Sequence, residues 1–306
     1  MRKTSVYLPD TLKERLAGLA DRTGRSEAEL IRQAIDQLVR GTSDVVPTTR
    51  VTPRPGHLVG IGIGPGPADL ITQRALTALR RADRVVAPST SIEAVGRAET
   101  VVREACPDLA TERLVFVMQP DPAARVEALD QVCDQVAAWL EAGDEVAFVT
   151  LGDPNVYSTF SSVADGIRKR RPATPIETVP GVMAFQDLAS RSGVVVADEQ
   201  QHIRIVPALD ADGLDQLDQH LSDTDATVVI YKGGGRLPQI AQRLAAAKRL
   251  DGAVLGELLG MPGERVVAVA KVRDRPASYL SSVIVPAQTN DTANGTANGT
   301  ANGAHR

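Results

Sequence analysis

The chain has 306 residues, 43% of them hydrophobic and 24% charged, with a formal net charge of −4 at pH 7. A chain of this length can bury two or three ordinary domain cores, and the small negative charge excludes a basic field over the whole molecule. Its two cysteines, Cys106 and Cys133, stand far apart, which excludes a disulfide framework and a zinc cluster and is typical of a reducing compartment.

No apolar run typical of a signal peptide occurs among the first residues. No stretch of the chain reaches the roughly 18 unbroken apolar residues that a membrane span needs. We therefore expect a soluble, cytoplasmic protein without a membrane partner or a bound metal.

Residues 1–42 read as one strand followed by two helices. Polar and apolar side chains alternate over Lys3–Leu8, as in a half-buried strand. Gly24 separates the two helices, and Ser26 with Glu29 predicts a capping box at the start of the second helix. About 42 residues bury too little surface to fold alone, so this unit is expected to form a dimer.

The rest of the chain divides by composition and pattern. Residues 43–56 are rich in proline and threonine and predict a linker. Two sets of alternating strands and helices follow, which predict subdomains at 57–175 and 176–287. Residues 288–306 repeat Thr-Ala-Asn-Gly and contain no core-forming side chains, so we expect a disordered tail.

Strand-like runs alternate with helical patterns throughout this body. Helices are predicted after Asp69 and around Trp139. The predicted strands are Leu58–Ile63, Arg84–Ala87, Glu145–Thr150 and Ile176–Val179, then Ile203–Pro207, Thr227–Tyr231, Gly252–Leu255, Val266–Ala270 and Ser281–Val285. Such alternation predicts an α/β fold with a largely parallel sheet.

Four glycine-containing turns follow predicted strands, namely Gly60–Gly66, Thr150–Pro154, Val179–Ala184 and Tyr231–Arg236. A dinucleotide site would need an acid at the end of the next strand, whereas Asp83 precedes that strand. A phosphate-binding P-loop would place its lysine after the glycines, whereas Lys232 precedes them. Taken singly, each turn is also compatible with a purely structural role.

Together, the order and spacing of the four turns resemble the tetrapyrrole methylase family, over about residues 57–287. In that family such turns line a cleft between two α/β domains and hold S-adenosylmethionine (SAM). The resemblance implies this two-domain fold and a SAM-dependent methyltransferase. The residues it implies for the cofactor site are Pro65, Gly66, Gly152, Asp153, Val156, Tyr157, Ser158, Thr159, Met183, Ala184 and Lys232.

Some of these residues also have a local interpretation. Asp153 could accept hydrogen bonds from a ligand or hold its own loop, while Ser158 and Thr159 could cap the next helix. The chain departs from the family's pattern at three places. The acid that usually follows Gly-Pro-Gly is displaced to Asp69, Met183 replaces a small hydroxyl residue, and Leu259 replaces glycine and is left out of the predicted site.

Finer details resemble the precorrin-2 C(20)-methyltransferase branch of the family. The segments that carry this resemblance are Gly96–Glu99, Leu151–Phe160, Met261–Arg265 and Tyr279–Val285. It implies methylation of precorrin-2 at carbon 20 in cobalamin biosynthesis, with another corrin carbon or cobalt-precorrin-2 as alternatives. The sequence identifies no catalytic base. The arginines considered for binding the carboxylates of such a substrate are Arg97, Arg191 and Arg236.

Residues 1–42 resemble a ribbon-helix-helix module of the CopG/Arc type. By that resemblance Lys3, Ser5 and Tyr7 would face DNA from a two-stranded ribbon of a homodimer. This segment has eight lysines and arginines and six acids, a net charge of +2, so its charge gives little support for DNA binding. Two alternatives remain open. The module could serve dimerisation alone, or the whole chain could be a DNA-binding regulator whose body senses SAM or a tetrapyrrole.

Overall fold

The computed structural model describes residues 10–41, 55–116, 122–208 and 210–288. By its internal contacts the chain forms two compact units, Met1–Thr52 and Pro53–Arg306. The boundary between the units falls within the predicted linker. Most of that linker and almost all of the predicted tail lie outside the described residues.

The first unit contains two helices, α1 (Asp10–Thr23) and α2 (Glu27–Gly41). Gly24 ends α1 in the left-handed conformation, with φ +65°. The predicted capping box is confirmed, because Glu29 Oε2 accepts from Ser26 N at 3.1 Å and Ser26 Oγ accepts from Glu29 N at 3.3 Å. The predicted strand Lys3–Leu8, with its candidate DNA-binding residues, lies outside the described residues.

The second unit begins with a five-stranded parallel sheet, counted over the described residues, in the order β3-β2-β4-β1-β5. Its strands are β1 (His57–Gly62), β2 (Arg84–Ser89), β3 (Glu112–Val115), β4 (Glu145–Thr150) and β5 (Ile176–Val179). The helices between them are α3 (Gln73–Arg81), α4 (Arg97–Ala105), α5 (Pro122–Ala142) and α6 (Thr159–Arg170).

Both faces of this sheet are covered, which explains its nearly continuous apolar strands. In β4, Ala147 and Val149 face the core made by α3 and α4, while Val146 and Phe148 face the core made by α5 and α6. All five strands run in the same direction, so their carboxyl ends meet at one sheet edge, where open α/β folds bind ligands.

Two features of this half differ from the sequence-based expectations. β5 pairs with β1, so the first sheet continues past the division expected after residue 175. β3 and α4 were not predicted. The predicted strands of this half otherwise agree with the structure to within two residues at each end.

The other half of the unit is a mixed five-stranded sheet, again counted over the described residues, in the order β6-β7-β10-β8-β9. Its strands are β6 (His202–Pro207), β7 (Ala226–Tyr231), β8 (Val254–Glu257), β9 (Arg265–Ala268) and β10 (Ser281–Val285). Helices α8 (Ala211–Leu221) and α9 (Leu237–Ala246) pack on one face, and α7 (Ala184–Ser192) packs on the other.

Only β6 and β7 are parallel in this sheet; β10 runs antiparallel to β7 and β8, and β8 is antiparallel to β9. For β8 and β9 the reason is the length of their connection. Residues 258–264 join β8 to β9, and a parallel crossover needs a dozen or more residues. The expectation of a largely parallel sheet therefore holds for the first half of the body and not for the second.

Cys106 and Cys133 are both buried and unpaired. No helix within the described residues is long and apolar enough to cross a membrane.

Candidate active site

The loops that follow β1, β4 and β5 meet at the edge of the first sheet. Gly152 N donates to Gly64 O at 2.8 Å, which joins the loops after β1 and β4 in an isolated antiparallel bridge. A Cβ on Gly181 would lie 2.1 Å from Gly152 O, and a Cβ on Gly62 would lie 2.5 Å from the same oxygen. These backbones approach so closely that only glycine fits at Gly62 and Gly181.

Asp153 holds this junction together. Its Oδ2 accepts from Gly181 N at 3.1 Å, and its Oδ1 accepts from Asn155 N at 2.9 Å. The carboxylate therefore bonds the second loop to the third and does not line the adjacent cavity. Of the two interpretations of Asp153, its contacts support the one in which it holds the loop.

We expect Asp153→Asn to loosen the junction, because its amide replaces one of the two acceptor oxygens. Loss of a hydrogen bond to a charged group costs about 1.5–3 kcal/mol. The expected result is a free energy of unfolding lower by about that amount, measured by denaturant titration. Asp165→Asn, at an exposed ion pair on α6, is the matched control. An unchanged free energy of unfolding in Asp153→Asn would contradict this bracing role.

A cavity of about 390 Å³ opens beside the junction, within the size range of small-molecule sites. Nine of the eleven residues predicted for the cofactor site line it, namely Pro65, Gly152, Val156, Tyr157, Ser158, Thr159, Met183, Ala184 and Lys232. Gly66 does not line it, because this glycine packs against Leu259, where a Cβ would lie 2.1 Å from the carbonyl oxygen. Gly66 and Asp153 lie in the loops beside the cavity and outside its lining, and their contact with a cofactor stays a prediction.

Local contacts fix the second and third loops at their helices. Ser158 is the N-cap of α6, accepting from Phe160 N at 3.1 Å, and its hydroxyl donates to Thr150 Oγ1 at 3.0 Å. Its predicted capping role is confirmed, while Thr159 is the first residue of that helix. At the start of α7, Gln186 Oε1 accepts from Met183 N at 2.8 Å.

The second sheet contributes a wall of the cavity that the sequence analysis did not predict. It comes from the β8–β9 loop, from the segment that leads into β10 and from the first two residues of that strand. The lining residues of these segments are Leu258, Leu259, Met261, Tyr279, Leu280, Ser281 and Ser282. Leu259, which the sequence-based site does not include, is one of these lining residues. The sequence signals for this wall are the Met261–Arg265 and Tyr279–Val285 segments, which carry part of the finer family resemblance.

Tyr157 and Lys232 join the two sheets across the cavity. Lys232 Nζ donates to Tyr157 O at 3.1 Å, and the Tyr157 hydroxyl donates to Ile205 O at 2.9 Å. Both residues have left-handed backbones, with φ +49° at Tyr157 and +60° at Lys232. Strain of this kind persists only where surrounding contacts hold it, and it is concentrated at binding sites.

The titratable groups of the cavity are shifted toward their neutral forms by burial. Burial raises the pKa of the Tyr231 phenol to about 12, while its oxygen accepts from Phe185 N. Burial also raises the pKa of Tyr157 and of Tyr279, and it lowers the pKa of the Lys232 ammonium. The three phenols consequently stay protonated at neutral pH and do not provide a base.

Glu99 is fully buried at the start of α4 and is paired with two arginines. Arg113 donates to it twice, at 2.6 and 2.9 Å, and Arg103 lies 2.5 Å from Oε1. The hydrogen bonds from Arg113 hold the pKa of Glu99 below its ordinary value, against the opposing effect of burial. This carboxylate is therefore a structural group, while its neighbours Arg97 and Ala98 line the cavity.

Arg97 and Lys232 are the charged side chains among the described residues that line the cavity, which has no aspartate or glutamate in that lining. The described residues also include no cluster of histidine, cysteine and acidic side chains able to hold a metal ion. The wall combines mostly apolar side chains with glycine-loop backbone and two cations. Such a surface suits an organic ligand that carries carboxylates.

Comparisons with known proteins agree with this arrangement. Residues 57–274 match the family described as Tetrapyrrole (Corrin/Porphyrin) Methylases, and residues 2–40 match the family described as Ribbon-helix-helix protein, copG family. These matches confirm both resemblances inferred from the sequence motifs.

Two curated relatives and one solved structure illustrate the similarity. A precorrin-2 C(20)-methyltransferase of Sinorhizobium sp is 32% identical over 240 residues, covering 76% of this chain and 95% of that protein. A cobalt-precorrin-2 C(20)-methyltransferase of Salmonella typhimurium is also 32% identical over 240 residues, covering 76% and 97%. The crystal structure of the methyltransferase CobJ has a TM-score of 0.56 and 18% identity, covering 76% of this chain and 94% of that one, and shows the shared fold.

Proposed function

Because the chain belongs to the tetrapyrrole (corrin/porphyrin) methylase family, we propose that its cavity binds SAM and that the protein C-methylates precorrin-2 at carbon 20 in cobalamin biosynthesis. The observation that carries this proposal is the cavity at the three-loop junction, lined by nine of the residues expected for the cofactor. The 32% identity to precorrin-2 and cobalt-precorrin-2 C(20)-methyltransferases supports the choice of substrate. The proposal places the reaction in the cytoplasm.

The residues present fit a molecule such as SAM. A volume of about 390 Å³ accommodates a nucleoside with an amino-acid side arm, and the larger tetrapyrrole would lie mainly at the open mouth. Lys232 and the loop backbone can meet a carboxylate, while apolar groups such as Met183 and Leu259 can cover the remainder. SAM, when bound, supplies a methyl group on a positively charged sulfur.

The residues of the chain contribute positioning and exclusion of water. The substrate carbon, made electron-rich by its conjugated pyrrole nitrogens, is the nucleophile, so the protein needs no nucleophile of its own. Holding two reactants in line can lower the barrier by roughly 7–11 kcal/mol in favourable cases. The loop junction and the Tyr157–Lys232 hydrogen bond hold the two walls of the cavity at a fixed distance, which would keep the two reactants aligned.

Incubation of the full chain with SAM and either precorrin-2 or cobalt-precorrin-2, without oxygen, tests the proposal. We expect a product heavier by one methylene group, with a ¹³C-labelled methyl group assigned by NMR to carbon 20. Comparing the two substrates decides whether the metal-free or the cobalt form is preferred. A methyl group on another carbon would assign the chain to a different branch. Binding of both ligands without any product would favour a sensor.

A second function is supported by the match of residues 2–40 to the ribbon-helix-helix family. We propose that this module forms a homodimer, and that DNA binding would use Lys3, Ser5 and Tyr7, which lie outside the described residues. Gel filtration of the full chain and of a chain beginning at residue 55 tests the first part. Enrichment of genomic DNA by the full chain, lost when those three residues are changed to alanine, tests the second. A dimer that enriches no DNA would leave the module with dimerisation alone.

A further inference from the structure

One exposed arginine lines the cavity on the side of the first sheet. Arg97 is the first residue of α4 and lines the cavity together with Pro88, at the end of β2, and Ala98. No described acidic side chain forms an ion pair with its guanidinium, although most arginines of this unit are paired. Arg97 therefore presents its five donors unopposed at the edge of a cavity whose described lining has no acid.

The nearest acid on the same helix cannot serve as its partner. Glu99 is fully buried, and both of its oxygens are taken by Arg113 and Arg103. Glu99 therefore has no oxygen left for Arg97. Because a planar guanidinium matches a carboxylate with two parallel hydrogen bonds, Arg97 suits an incoming carboxylate.

The segment that leads to Arg97 is held in place before any ligand arrives. The Ser89 hydroxyl bonds to Ala94 O at 2.7 Å, and Arg113 donates both to Ile92 O and to Glu99. Gly96 is required directly before Arg97, because a Cβ there would lie 2.5 Å from Pro88 O. A backbone fixed in this way lowers the entropic cost of placing the guanidinium on a ligand.

The other cations considered are less suitable. Arg191 donates to Asp187 and to Glu264, each at 2.9 Å, and lies outside the cavity lining. Arg236 also does not line the cavity. Lys232 does, but its ammonium already donates to Tyr157 O.

We propose that Arg97 binds a peripheral carboxylate of the tetrapyrrole and thereby selects and orients the substrate at the cavity mouth. This inference rests on the proposed function, because it takes the substrate to be an acidic macrocycle. Arg97 would act on substrate binding, and the methyl donor would bind independently of it. Glu99 and Arg113 are then positioning residues that hold the start of α4.

Equilibrium titration of the full chain tests the role of Arg97 in substrate binding without relying on methyl transfer. Precorrin-2 is titrated without oxygen into protein saturated with S-adenosylhomocysteine, and binding is followed by absorbance. Arg97→Ala is compared with Arg97→Lys and with Arg80→Ala, which removes an exposed arginine of α3 that lies outside the cavity lining. S-adenosylhomocysteine binding is measured for each variant by calorimetry.

We expect the Kd for precorrin-2 to rise roughly 10- to 100-fold in Arg97→Ala, as for loss of a charge-assisted hydrogen bond, and to be partly restored in Arg97→Lys. The wild-type Kd should rise with salt more steeply than that of Arg97→Ala, since screening weakens the lost ion pair. S-adenosylhomocysteine affinity should stay within about twofold in all variants, and Arg80→Ala should resemble the wild type.

Equal precorrin-2 affinity in the wild type and Arg97→Ala would overturn the inference, even if the protein methylates this substrate. Weaker S-adenosylhomocysteine binding with unchanged precorrin-2 binding would also overturn it, by assigning Arg97 to the carboxylate of the methyl donor. If precorrin-2 binds through Arg97 but no methyl group is transferred, the inference stands and the proposed function fails.

Discussion

Gly181→Ala is expected to abolish most methyl transfer while leaving the protein folded. The new Cβ would lie 2.1 Å from Gly152 O and 2.7 Å from the carbonyl carbon of Gly62. Both neighbours are backbone, so neither can yield by changing a rotamer, and the loops after β1, β4 and β5 must separate. Overpacking of this kind typically costs about 1–3 kcal/mol of stability, which a unit of this size can tolerate.

The functional effect should be larger than the loss of stability. Gly152 lines the cavity, so a shift of the loop at Gly181 would move the cavity wall. Gly181 N also donates to Asp153, so the same shift would weaken the hydrogen bond that joins the second and third loops. A misplacement of about 1 Å can cost about 100-fold in rate. We therefore expect kcat/KM to fall about 100-fold and S-adenosylhomocysteine binding to weaken by about tenfold or more.

Gly235→Ala is the matched control for this experiment. Gly235 is exposed, it does not have a positive φ, and a Cβ there would have no atom within 4 Å. Steady-state kinetics and calorimetry of both variants, with far-UV circular dichroism to verify folding, provide the comparison. Near-normal kcat/KM in a folded Gly181→Ala protein would show that the loop junction is not needed for catalysis.

The sequence predicted the elements whose pattern is local. β10 was predicted with the bounds that the structure has, because the β-branched run Val283–Val285 follows two serines and ends directly before Pro286. β3 was missed for the opposite reason. Two of its four residues, Glu112 and Arg113, are charged, and they pair with Arg84 and Glu99 on neighbouring elements. Such an edge strand has no apolar pattern to detect.

In the candidate site, too, sequence pattern predicted local features and missed contacts between distant parts of the chain. Glycines after three strands indicated one wall of the cavity, because the carboxyl ends of parallel strands meet at one edge. The role of Asp153 was left open, since its partner Gly181 lies 28 positions further along the chain. The wall formed by Leu258 and Leu259 depends on a left-handed residue, Leu258 with φ +53°, and on the approach of Gly66. Neither condition is visible in local sequence.

Arg249→Met is expected to destabilise the second sheet more than any other substitution considered for this protein. Arg249 is only 2% exposed, and its guanidinium lies among backbone carbonyls. Nη1 donates to Asp223 O at 2.9 Å and to Leu221 O at 3.3 Å. Nη2 donates to Ala226 O at 2.6 Å and to Pro286 O at 2.8 Å. One side chain thus joins the end of α8, the start of β7 and the end of β10.

Methionine has a similar length but no donors, so each of these carbonyls would lose the hydrogen bond that Arg249 provides. Each unsatisfied group costs about 1–3 kcal/mol, and partial access of water should limit the total to about 3–5 kcal/mol. For a unit of this size that corresponds to a fall in Tm of roughly 10 °C. Arg249→Lys keeps the charge and fewer donors, so it should lose about half as much.

Denaturant titration of the full chain measures these free energies of unfolding, with Arg168→Met as the control. Arg168 forms an exposed ion pair with Asp165 on α6, and such pairs contribute about 0–1 kcal/mol. Arg249 lies outside the cavity lining, so the folded fraction of Arg249→Met should keep its affinity for S-adenosylhomocysteine. A loss of stability below about 1 kcal/mol would mean that the carbonyls find other donors and that the buried charge is dispensable. Weakened ligand affinity at full folding would instead connect this end of the sheet to the cavity.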